Sequence, residues 1–113
     1  MKWALGILSF FIITSIANAD MTMYESNKVD CLVLKDENSI ICKYSHKRVN
    51  KDKTIRFEWI EPNGDISRAR DMIIPAGHGS IYDYRYIKGR SVGTWTFKAI
   101  DETTEYKTTF VIE

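Results

Sequence analysis

The stretch Thr54-Ile55-Arg56-Phe57-Glu58-Trp59-Ile60-Glu61, followed by Pro62-Asn63-Gly64-Asp65, decides the fold. Ile55, Phe57 and Trp59 fall on one side of an extended chain and Arg56 and Glu58 on the other, the period of a half-buried strand. Pro-Asn-Gly-Asp then supplies the residues of a tight turn, fixing φ at proline and admitting a left-handed conformation at glycine.

The same grammar repeats on both sides. Val29 to Leu34 and Ser39 to Tyr44 are β-type runs joined by the polar turn Lys35-Asp36-Glu37-Asn38. Ile66 to Ile74 is a less regular, more polar strand, ended by Pro75 and Gly77, and its Arg68, Arg70 and Asp71 suit a sheet edge. Ile81 to Lys88, Thr94 to Ile100 and Tyr106 to Ile112 alternate again, with turns at Gly89 to Gly93 and Asp101 to Glu105. Trp95, Phe97 and Ala99 share one face, as do Thr108, Phe110 and Ile112. About seven short strands at roughly ten-residue spacing, with no apolar pattern of helical period after the first residues, predict an all-β antiparallel sandwich or barrel, of which the sandwich is the better fit.

The N-terminus places this domain outside the cytoplasm. Lys2 precedes the apolar run Ala4 to Ile16, and Ala17-Asn18-Ala19 forms a small-x-small cleavage site before Asp20. The run is shorter than the ~20 residues of a membrane-spanning helix. Residues 1–19 therefore read as a signal peptide cleaved at Ala19-Asp20, giving a periplasmic or secreted chain with no transmembrane segment. Residues 20–28 read as a polar N-terminal arm and 29–113 as one domain. The 94 residues left after cleavage suffice for a single core, a modest one that a covalent constraint would help.

Cys31 and Cys42 are the two cysteines, and an oxidising compartment favours joining them. Pairing Leu34 with Ser39 across the first hairpin sets Cys31 directly opposite Cys42, within the Cα separation a disulfide requires. A redox site would show closer spacing, and Cys42 with His46 offers too few metal ligands. No metal or cofactor is expected.

After cleavage the chain carries 15 basic and 15 acidic side chains, so no global attraction to nucleic acid arises. The charge is uneven. His46, Lys47, Arg48, Lys51 and Lys53 crowd one connection, in which Asp52 is the only acid. This basic loop can dock on an anionic surface, and Arg68, Arg70, Arg85 and Arg90 extend it if their strands are neighbours.

Other side chains weigh less as chemistry. His78, Ser80 and Asp83 are the residue types of a hydrolytic triad, but adjacency in sequence does not build a relay, and Pro75 to Gly79 reads as an exposed turn. The carboxylate pairs Glu58 with Glu61 and Glu102 with Glu105 read as solvated strand-edge or turn groups. Tyr82, Tyr84 and Tyr86 line one face of a strand whose other face carries Asp83 and Arg85. Burying unpaired charges costs several kcal/mol each, so the tyrosines are expected to face the core. A tyrosine platform for sugar rings is the alternative.

Two segments carry a resemblance. Phe57-Glu58-Trp59 before the Pro62-Asn63-Gly64 turn resembles strand C of an immunoglobulin domain, and Gly93-Thr94-Trp95-Thr96-Phe97-Lys98-Ala99 resembles strand F. Cys42 has no partner for the usual inter-sheet bridge, and Trp95 stands where a tyrosine is customary. In the spacing of Trp59, Arg85, Gly93, Trp95, Asp101, Phe110 and Ile112 the chain is more similar to small exported bacterial immunoglobulin-like β domains of unassigned function, over about Thr54 to Glu113. The resemblance implies an immunoglobulin-like sandwich with Trp59 and Trp95 in the core.

These readings converge on a non-catalytic exported binding or accessory module, contacting an envelope protein or an anionic surface polymer. The contact residues expected are Lys47, Arg48, Lys51 and Lys53, then Arg68 and Arg70. The alternatives are a carbohydrate-binding module using Tyr82, Tyr84 and Tyr86, and an inhibitor of a secreted hydrolase.

Overall fold

A computed structural model describes residues 28–113; the stretch read as a signal peptide and all but the last residue of the expected polar arm lie outside them. Seven strands follow in chain order: β1 (Lys28–Leu34), β2 (Ser39–Ser45), β3 (Lys53–Ile60), β4 (Ile66–Ile74), β5 (Ser80–Tyr86), β6 (Gly93–Asp101) and β7 (Thr104–Ile112). One 3₁₀ turn, Lys35–Glu37, joins β1 to β2. The strands form two antiparallel sheets, of order β1-β2-β5 and β4-β3-β6-β7. Chain neighbours β2 and β3, β4 and β5, and β5 and β6 thus lie in different sheets.

The core fills the space between the sheets. Ile40, Cys42 and Tyr44 enter from β2, Ile55, Phe57 and Trp59 from β3, Trp95, Phe97 and Ala99 from β6, and Phe110 and Ile112 from β7. Every second residue turns inward because the strand repeat is two. Trp59 meets Phe97 and Phe110 edge-on, with ring centroids 5.4 and 5.9 Å apart, the arrangement aromatic quadrupoles favour. Trp95 stacks on Phe110 at 6.0 Å, and its indole N–H donates to the carbonyl of Ser91, four residues earlier. Gly93 admits no side chain: φ is +130°, and a Cβ there would lie 2.9 Å from Pro62 Cγ.

The first hairpin has the register expected from the sequence. Leu34 pairs with Ser39, Cys31 lies opposite Cys42, and the two sulfurs are bonded with Cα atoms 4.1 Å apart. Asn38 closes the turn at φ 52°, a left-handed conformation that asparagine tolerates. The bridge closes a loop of sequence separation 11, so replacing both cysteines with Ala is expected to cost roughly 2–3 kcal/mol. Urea denaturation of the oxidised, reduced and double-Ala proteins checks this; equal midpoints would refute it.

β4 is an edge strand, as its polarity suggested. Its register places Arg68 beside Trp59, Arg70 beside Phe57 and Met72 beside Ile55, so the inward side of β4 carries two arginines. This arrangement sets up the site.

Candidate functional site

β4 and β5 are the edges of different sheets, and they face each other along one open flank of the sandwich. An apolar seam would leave both edges ready to pair with another chain; inward-pointing charges are a common remedy. Here the charges are numerous. Arg68 and Arg70 from β4 reach Asp83 of β5, with Nη1 to Oδ1 distances of 3.4 Å each. The shorter bond to Asp83 comes from the core: the indole N–H of Trp59 donates to Oδ2 at 2.9 Å. The carboxylate is almost fully buried, 7% exposed.

Arg85 lies on the same side of β5. Its guanidinium is 5.5 Å from the centre of a Trp59 ring and donates to Ser67 Oγ at 3.1 Å. Burial, followed by repulsion from Arg90 and Arg68, lowers its pKa to about 10. The Nε of Arg90 is buried and has no hydrogen-bond partner. Four guanidinium groups therefore line a groove of about 450 Å³ in which Asp83 is the one carboxylate among the described lining residues. The geometry concentrates cations beyond what that carboxylate neutralises.

The tyrosines reverse the orientation expected from the sequence. Tyr82, Tyr84 and Tyr86 are 59, 58 and 60% exposed, whereas Ile81 and Asp83 point inward. The expectation rested on the cost of burying Asp83 and Arg85 without partners. Trp59, Arg68, Arg70 and Ser67 supply those partners from β3 and β4, so the charged face turns in and the rings turn out. On the outer face Tyr84 continues a cross-strand row through Ile41 to Leu32, which is 59% exposed. Lys43 lies over the Tyr82 ring at 5.9 Å.

The basic loop is more constrained than its composition suggests. His46 N–H donates to Gly79 O, Val49 N–H to His78 O and Gly77 N–H to Val49 O, lacing the β2–β3 loop to the β4–β5 loop. Arg48 Nη1 donates to Gly77 O at 2.6 Å. Lys53 is drawn to Asp101 at 2.9 Å and Glu102 at 3.0 Å, which raises its pKa. Lys47 and Lys51 are exposed on a separate depression of about 700 Å³. The loop and the arginine groove are thus two features. Of the six contact residues expected, Arg68 and Arg70 lie in the groove, while Lys47, Arg48, Lys51 and Lys53 line the other depression.

No protein-family model matches this chain, and no curated protein matches it in sequence.

Several smaller readings resolve here. Asp101, read as a turn residue, ends β6 inside the core, where its Oδ2 accepts from the Tyr44 hydroxyl at 2.8 Å and lies 3.4 Å from His46 Nε2. Glu58, read as solvated, is buried on the outer side of the central strand β3, between Ala69 and Lys98, and accepts from Arg56 Nε at 3.0 Å. His78 is exposed in its turn, and the Asp83 carboxylate is occupied by Trp59 and the arginines. No group of three potential metal ligands occurs among the described residues, and none of their helices is long and apolar enough to cross a membrane. The arginine cluster was partly legible, as four arginines on neighbouring segments. The roles of Asp83 and Trp59 carried no local signal, because their contact joins residues 24 positions apart.

Proposed function

We propose that this protein is an exported, non-catalytic binding module of immunoglobulin-like architecture that holds anionic groups of an envelope partner in the β4–β5 groove. The architecture is supported by the division of seven strands into sheets of three and four, and by the Trp95 bond to Ser91, which does the work of the customary tyrosine hydroxyl. Export is supported by the leader-like N-terminus and by the disulfide, which suits an oxidising compartment.

One observation carries the binding assignment: four guanidinium groups line one groove whose single lining carboxylate, Asp83, is buried and already paired with Arg68 and Arg70. Guanidinium groups offer fixed, forked donors that match carboxylate and phosphate oxygens. An arriving anion relieves the repulsion that Arg90 and Arg68 exert on Arg85.

The test is titration of the purified protein with polyglutamate and with polygalacturonate at low and high salt. Arg70→Gln is expected to weaken polyanion binding roughly ten- to hundredfold, the loss of one charged hydrogen bond. Arg70 is half exposed, so the melting temperature should move little. The pair Lys47→Gln and Lys51→Gln should have a smaller effect. The reverse ranking would move the contact to the basic loop.

A further inference from the structure

Resting on that reading, we infer that the anionic ligand is an acidic polysaccharide, whose sugar rings lie on the β5 tyrosines while its carboxylates enter the arginine groove. Two independent features select a glycan over an acidic protein segment.

The first is the state of the β5 edge. An extended peptide commonly binds such an edge by adding a strand, using the unpaired main-chain N–H and C=O groups. At Tyr84, the middle of β5, the main-chain N–H donates to Asp83 Oδ1 at 3.0 Å, and Arg68 Nη1 donates to the carbonyl at 3.5 Å. The residues that build the anion site therefore occupy the main-chain groups at the middle of the edge a peptide would use. A ligand recognised through side chains alone meets no such obstacle.

The second is the position of the rings. Tyr82, Tyr84 and Tyr86 stand on the outer face, and successive side chains on one face of a strand are about 6–7 Å apart. Tyr84 and Tyr86 have ring centroids 6.2 Å apart. All three tyrosines border the groove that Arg68 and Arg70 line, and Lys43 lies over the Tyr82 ring. Cations thus lie along the groove side of the aromatic row and, at Tyr82, on its other side as well. A uronic acid presents a C–H face to an aromatic ring and a carboxylate at its edge, and so engages both. A plain acidic peptide engages the cations alone, leaving the exposed rings without a role.

The experiment is calorimetric titration with three polymers: polygalacturonate, its methyl-esterified neutral form, and polyglutamate of matched charge. Each is run on wild type, Tyr84→Ala, Tyr84→Phe and Arg70→Gln, with melting curves as the folding control. Polygalacturonate is expected to bind more tightly than polyglutamate at equal salt, and the neutral polymer weakly. Tyr84→Ala should lose about fivefold toward polygalacturonate and nothing toward polyglutamate, and Tyr84→Phe should retain the binding. Equal binding of the two polyanions with no response to Tyr84→Ala would overturn the glycan assignment and leave the anion site standing. A preference for polyglutamate would identify an acidic protein as the partner and overturn it too. Failure of every polyanion to bind would remove the anion site itself.

Discussion

Asp83→Ala is expected to lower the melting temperature by roughly 10–20 °C, from a loss of about 3 kcal/mol in a domain of this size. The ion pairs with Arg68 and Arg70 contribute the smaller share. Those side chains are 34 and 50% exposed, and their contacts to Oδ1 are long, so solvent screens them. The larger share comes from the groups left behind. The Trp59 indole N–H loses its acceptor in the core, and a buried donor without a partner costs about 1–3 kcal/mol. Arg85 also loses the stronger of its two opposing charges, Asp83 and Glu61, while Arg90 and Arg68 still repel it.

Asp83→Asn separates the two roles. It keeps an oxygen for the indole, so its thermal loss should be the smaller of the two. It also neutralises the carboxylate in the groove, so polyanion binding at low salt should strengthen. Calorimetric melting and a polygalacturonate titration of both variants check this. Weaker polyanion binding by a folded Asp83→Asn protein would count against the groove as an anion site.

Trp59→Ala should be the most damaging single change. Removing a buried tryptophan costs about 3–5 kcal/mol, and this one packs against Phe97 and Phe110 and lies under Arg85. Total stability of such a domain is about 5–15 kcal/mol, so the variant should melt well below the wild type and be more sensitive to proteolysis. Trp59→Phe restores most of the apolar volume but not the N–H. It should cost about 1–3 kcal/mol, and Asp83→Ala should destabilise less in that background than in wild type, because their shared bond is already gone. Chemical denaturation of the two single variants and the double variant measures the coupling. Strict additivity would mean that the Trp59–Asp83 bond contributes nothing to stability.

The strands were legible because their signals are local. Alternation in Thr54 to Glu61 and Thr94 to Ile100, and the turn residues at Pro62 to Asp65, act through backbone preferences and side-chain period that neighbouring residues set. The disulfide was legible for a related reason: a short hairpin has few registers, and one of them joins Cys31 to Cys42. Trp59 and Trp95 in the core follow from period and size.

The candidate site was legible only in part. Arg68 and Arg70 mark an edge by composition, but nothing near them says which strand lies across the gap. The tyrosine strand shows the difficulty most clearly. Ile81, Asp83 and Arg85 on one face and Tyr82, Tyr84 and Tyr86 on the other form an alternation that either side can bury. The choice depends on whether Asp83 and Arg85 find partners, and those partners come from β3 and β4. The same holds for Asp101, whose buried carboxylate depends on Tyr44 from the opposite sheet and on Lys53.

The amino-acid sequence by itself determined the strand pattern, the first hairpin with its disulfide, the aromatic core of β3 and β6, and the edge character of β4. Only the tertiary structure decided which face of β5 is buried and which cations share a groove. The physical reason is that the energy of a buried charge is a property of its neighbours: Asp83 is costly in isolation and stable beside Trp59, Arg68 and Arg70, and only folding brings them together.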